Sequence, residues 1–147
     1  MKQFDPDYAS CSSTHVWLRA MHEDLDTDEV TALLGVNPTR VQHASDPATL
    51  KPGHKARPSG WFLESANHVN SRDARDHIQW LLDRIAGSAA VLAELSSRGY
   101  LVDICCWTSS WGHGGPTMDP EQMSQLGHLG VDFWFDVNFD CEDSADA

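Results

Sequence analysis

Basic side chains run out early in this sequence. No Lys or Arg follows Arg98, while the last third carries Asp103, Asp119, Glu121, Asp132, Asp136, Asp140, Glu142, Asp143 and Asp146. Over 147 residues, 22 acidic side chains stand against 10 basic ones, a formal net charge of −12. Such a field repels a phosphate backbone, so nucleic acid is not an expected partner. No apolar run approaches the roughly 18 residues of a membrane span, and MKQFDPDYAS at the N-terminus has no apolar leader region. A cytoplasmic protein with no membrane partner is the expectation.

Other signatures are missing too. The four cysteines, Cys11, Cys105, Cys106 and Cys141, form no CxxC pair, which argues against a zinc ribbon or a thioredoxin-type motif. Cys105 and Cys106 are neighbours; on a strand they point to opposite faces, and a reduced state with at least one in the core is expected. Eight histidines are many for this length, yet none pair at i, i+4 and no carboxylate set accompanies them. No metal or other cofactor is therefore expected. Cys105 and Ser109 are nucleophiles by residue type alone, without a recognisable base, so no catalytic residue is assigned.

What is present is a set of well-punctuated elements. The length and 41% hydrophobic content suit a single domain over residues 1–140, followed by an acidic tail, 141–147, expected to be disordered. Residues 8–22 read as a long strand, with Val16, Leu18 and Ala20 on one side and His15, Trp17, Arg19 and Met21 on the other. A helix follows. Asp26 caps it, Glu29 stands where a capping box places its acid, Leu33 and Leu34 give the apolar face, and Gly35 and Pro38 end it. Between Pro38 and Gly60 the pattern dissolves into a loop with one weak strand at Arg40–Ala44, and Trp61–Ser65 forms a short strand. That loop holds His43, Lys51, His54, Lys55 and Arg57, the one basic patch.

Ser71–Arg98 keeps helical period through Ile78, Leu81, Leu82, Ile85, Leu92 and Leu95, as one helix or two nearly collinear ones, with Ser71 as the expected cap. Val102, Ile104 and Cys106 then alternate with Asp103, Cys105, Trp107 and Ser109. The turn SSWGHGGPTM leads to Asp119-Pro120, a helix start, whose inward residues are expected to be Met123, Leu126 and Leu129. Val131–Phe139 is the clearest strand: Phe133, Phe135, Val137 and Phe139 alternate with Asp132, Trp134, Asp136 and Asn138. This order predicts an α+β domain, an antiparallel sheet with helices packed mainly on one face, ferredoxin-like and built of two related halves.

Asp24-Leu25-Asp26 with Glu29-Val30-Thr31, Leu33-Leu34-Gly35 and Pro38-Thr39, then Gly60-Trp61 with Leu63-Glu64-Ser65, and finally Gly112-His113-Gly114-Gly115-Pro116-Thr117 with Leu129-Gly130-Val131 and Asp136-Val137 carry a resemblance. Together they resemble a bacterial family catalogued as domain of unknown function 4279, over roughly Tyr8 to Phe139. Ala44–His54 and the acidic tail depart from its pattern. The resemblance implies a small α+β domain and brings no functional residues with it.

Two surfaces stand out. Trp17, Trp107 and Trp134 fall on the polar sides of their strands beside Arg19, Asp103, Asp132 and Asp136. If helices cover the other side, these rings lie on an open face, as protein interfaces favour; alternatively the 38–60 loop folds over them as a second core. Trp61, Trp111, Gly112, His113, Gly114 and Gly115 make a candidate ligand site, where a glycine-rich turn precedes a helix N-terminus; a plain tight turn is the competing reading. The leading functional expectation is a protein-binding module with a basic partner, most concretely an immunity-type protein that covers a toxin. A small-ligand protein or enzyme using His113 and a homodimer joined through open sheet faces are the alternatives.

Overall fold

The computed structural model describes residues 2–140. Five strands and four helices follow in the order β1 (Cys11–His22), α1 (Thr27–Leu34), β2 (Arg40–Gln42), β3 (Ser59–Glu64), α2 (Ala74–Ile85), α3 (Ala89–Ser97), β4 (Leu101–Ser110), α4 (Pro120–Leu129) and β5 (Asp132–Phe139). The strands make one sheet in the order β2-β3-β1-β4-β5. The expected tail, 141–147, lies outside the described residues.

The α+β class holds, but the sheet is mixed. β1 pairs antiparallel with both β3 and β4, whereas β4 and β5 run parallel. The ferredoxin-like plan needs a split βαβ unit. Here the β4-α4-β5 unit is unsplit, with its two strands in direct contact. A crossover helix is the usual way to join parallel neighbours, and α4 is that helix.

All four helices lie on one side. Val16, Leu18 and Ala20 of β1, Trp61 and Leu63 of β3, and Val102, Ile104 and Cys106 of β4 meet Val30, Leu34, Ile78, Leu81, Leu82, Ile85, Leu92, Leu95, Leu126 and Leu129 in one core. Each fully buried Leu or Ile there contributes roughly 1.5–3 kcal/mol over an exposed one. Trp61 is fully buried, and its indole N–H donates to Thr31 Oγ1 of α1 at 3.0 Å.

Local signals set most boundaries. Asp26 accepts from the amides of Asp28 and Glu29, and Gly35 closes α1 at φ 68°. Asp119 caps α4 ahead of Pro120, and Gly130 ends it at φ 73°. Two expectations need correction. Asp73, not Ser71, caps α2; Ser71 Oγ instead accepts the Asp73 amide and donates to Asp76. In α4, Gln122 is buried and Met123 is exposed: Gln122 lies on the same side as the buried Leu126 and Leu129, one and two turns on, and its side-chain amide donates to the Arg75 carbonyl at 2.8 Å and to Gln79 Oε1 at 3.2 Å.

Candidate functional site

Among the described residues, the side of the sheet away from the helices has no second layer, and the strand registers align its side chains in cross-strand rows. One row holds Phe62, Arg19, Asp103 and Asp132; the next holds Glu64, Trp17, Cys105 and Trp134; a third holds His15, Trp107 and Asp136. The three indoles expected to share a face do share it. So do Arg19, Asp103, Asp132 and Asp136.

The loop between Gln42 and Ser59 does not close over these rings. The Ser45 amide bonds the Arg57 carbonyl at 2.7 Å, and the Arg57 amide bonds Ser45 Oγ at 2.7 Å. These bonds prolong the β2–β3 hairpin past Gln42 and Gly60, at the end of the sheet where His22 pairs with Ser59. Trp17 and Trp107 stay partly exposed, and Trp134 is 37% exposed.

Each ring is held by a neighbour. The His15 imidazole lies between Trp17 and Trp107, with centroids 5.1 and 4.9 Å away. The Arg19 guanidinium sits 5.4 Å from the Trp134 ring centroid, while its Nε and Nη2 donate to the two Asp103 oxygens at 2.6 and 3.0 Å. At the β2 side, Arg40 stacks 3.8 Å over Phe62 and donates to Glu64. The face is thus an aromatic strip with its cations already paired. Among the described residues, no ion pair involves Asp132 or Asp136, so uncompensated negative charge gathers along β5.

Electrostatics follow from these contacts. The hydrogen bond to Asp103 raises the Arg19 pKa above its ordinary value, keeping the guanidinium charged. Partial burial lowers that of His15, which favours the neutral ring between two indoles. Burial, with Asp136 nearby, pushes the Cys105 thiol up to about 11. Cys105 is therefore a neutral filler between tryptophans and a poor nucleophile. His15, Phe62, Glu64 and Arg40 also belong to this surface. For His15 the signal was available, since β1 alternation places it beside Trp17. WFLES is apolar on both sides, which hides the face that Phe62 and Glu64 occupy.

The glycine-rich turn is a different kind of place. Trp111, Gly112, His113 and Gly114 are exposed, and Gly115 is partly so. Trp61 is not brought to them: it pairs with Ala20, which pairs with Val102, so it lies about 25 Å along β4 from Ser110, by strand rise. The turn is tied down by its own chain. Ser110 Oγ donates to the Gly114 carbonyl at 3.0 Å and accepts the Gly112 amide at 3.2 Å; Tyr8 OH donates to the Gly115 carbonyl at 2.8 Å. Gly114 has φ 73°, and a Cβ there would lie 2.9 Å from Ser10 Oγ. Asp119 accepts the amides of Glu121 and Gln122, and Lys2 bonds that carboxylate at 2.9 Å. The helix N-terminus is already filled by a carboxylate, so it has little to offer an anion.

No helix among the described residues is long and apolar enough to cross a membrane. No curated protein matches the chain, and no solved structure matches it. A family model does match, over residues 12–140, from the second residue of β1 to the residue after β5. With nearly the whole described fold inside that match, the chain belongs to the family described as domain of unknown function DUF4279.

Proposed function

We propose that this protein is a binding module for a basic protein partner, engaged through the uncovered face of its sheet. The observation that carries the reading is the alignment of Trp17, Trp107 and Trp134 on a face that, among the described residues, has no second layer and is bordered by Asp132 and Asp136 without ion-pair partners. Amphipathic rings that are already braced by neighbours lose little conformational freedom on contact, and their desolvation slows release. Opposite charge steers the encounter, since the chain's net charge is −12. An immunity-type role, in which the face covers the basic surface of a toxin, is the concrete form of this function that the charge suits. The action lies in the cytoplasm on this reading.

The test is capture by the immobilised protein from an extract of its own source cells, with the retained protein identified by mass spectrometry. The reading expects a basic protein that elutes as salt rises. It expects retention to vanish with Trp134→Ala combined with Asp136→Ala, while His113→Ala leaves it unchanged. Retention that ignores the double variant but is lost with His113→Ala would overturn the face in favour of the turn.

A further inference from the structure

The β5 strand ends the sheet, and β4 is its single strand neighbour among the described residues. Every second amide and carbonyl of β5 therefore faces outward without a ladder partner. On the helix side the cover stops short. Ile104 and Cys106 of β4 are 1% and 0% exposed, whereas Phe135, Val137 and Phe139 of β5 are 41%, 43% and 62% exposed. On the other side stand Asp132, Trp134 and Asp136. The edge thus carries a row of apolar side chains below, a row of carboxylates and an indole above, and free backbone groups between.

A native edge strand is normally blunted by charged side chains, Pro or a bulge that blocks further pairing. β5 has neither Pro nor bulge, and its charges are all negative, so they bar an acidic strand and not a basic one: its sequence is DFWFDVNF, and its ladder with β4 runs in continuous register from Asp132 to Phe139. A second copy of this chain fits it poorly. Two β5 strands side by side would bring two sets of Asp132, Asp136 and Asp140 into one ribbon, with no Lys or Arg after Arg98 to offset them.

We infer that β5 accepts an extended basic segment of the partner as a sixth strand, with apolar and Lys or Arg side chains in alternation. The apolar side chains cover Phe135, Val137 and Phe139. The basic ones reach Asp132 and Asp136, and one shares the Trp134 ring with Arg19. Strand period makes the alternation obligatory: a segment with the same composition in two blocks sets half its charges against the apolar row. The inference rests on the proposed binding function and adds the chemistry and conformation of the partner.

The probe is a synthetic capped hexapeptide, Lys-Val-Arg-Val-Lys-Val, titrated into the full chain and read by anisotropy and by amide hydrogen exchange. Two N-methylated versions carry the methyl groups on one or the other alternate set of amides. Strand addition predicts that one methylated set binds within about threefold of the parent and the other loses at least about tenfold, since only one set faces β5. It predicts slowed exchange at the outward β5 amides, and similar losses for the block-ordered peptide, for Asp136→Lys and for Phe135→Lys combined with Val137→Lys. These sites are on the protein's surface; the exchange measurement on the unaltered protein stands even if a variant fails to fold.

Equal binding by both methylated peptides, or no binding of the alternating peptide, overturns strand addition. In either case the extract experiment with Trp134→Ala and Asp136→Ala still decides the open face separately. Concentration-dependent dimers abolished by Phe135→Lys would overturn it in favour of a second copy.

Discussion

Arg19 and Asp103 face each other across the β1–β4 ladder and form a two-point ion pair, with N–O distances of 2.6 and 3.0 Å. Asp103 is buried and Arg19 is partly exposed, so the pair lies between the interior and solvent. Its role extends to the neighbouring row, because the same guanidinium supports the Trp134 ring. Asp103→Ala frees that cation and leaves its donors half-solvated. Urea denaturation is expected to show a loss of about 1–3 kcal/mol, the usual cost of orphaning a partly buried charged group. Trp134 fluorescence should report a looser ring. A stability unchanged within error would show the pair to be ornamental.

His77 is expected to make the fold acid-sensitive. The ring is buried in α2, and both nitrogens are used: Nε2–H donates to the Ser71 carbonyl at 2.7 Å, so Nδ1 accepts from the Ser65 hydroxyl at 2.7 Å. Burial lowers its pKa below 6.5, against weaker opposing effects from the Ser71 carbonyl and nearby acids. The unfolded chain therefore binds a proton that the folded one refuses. The contribution is fully present above about pH 6.5 and is lost as pH falls through the lower folded value. Tm should drop between pH 7.5 and pH 5, and His77→Gln should reduce that slope while lowering Tm throughout. His15, shifted the same way, acts in the same direction.

Gly114 and Gly115 offer a matched pair. A side chain at Gly114 meets a left-handed φ of 73° and Ser10 at 2.9 Å, whereas nothing lies within 4 Å of a Cβ at Gly115. Gly114→Ala should cost ~1–2 kcal/mol in chemical denaturation and Gly115→Ala close to nothing. Similar costs at both positions would mean that the turn is more constrained by Tyr8 than by Ser10.

The sheet cysteines should be inert in the folded protein. Cys11, Cys105 and Cys106 are free and buried, and burial pushes Cys106 up to about 12 and Cys105 up to about 11. Iodoacetamide at pH 8 should label neither Cys105 nor Cys106 until denaturant is added, as peptide mapping would show. Rapid native labelling of Cys105 would contradict its burial between Trp17 and Trp134.

The residues carried some of this architecture openly and concealed the rest. Asp26, Gly35, Asp119 and Gly130 announced helix ends because a cap is a local event, set by one side chain and two or three amides. The alternation in β5 announced a strand with an acidic side. Nothing in a period of two says which way a neighbour runs; the sign of the parallel β4–β5 pairing lay in the strand–helix–strand order around α4, which the antiparallel expectation passed over. The roll of α4 was hidden. Met123 is the more apolar residue, yet Gln122 shares the buried side with Leu126 and Leu129 and bonds Arg75 and Gln79, 47 and 43 positions away, contacts that no local pattern shows. The same applies to the open face itself: each strand indicated its tryptophan, and only the register showed that Trp17 and Trp134 share a row.

Order of synthesis gives the β4–β5 pairing one more meaning. The ribosome delivers every other strand of the sheet before β5, so until β5 has emerged the sheet has at most four strands and its outer flank is β4. On that flank the backbone of Asp103–Ser110 awaits its partner strand. A nascent chain of this kind is most prone to sticking to its neighbours during that interval.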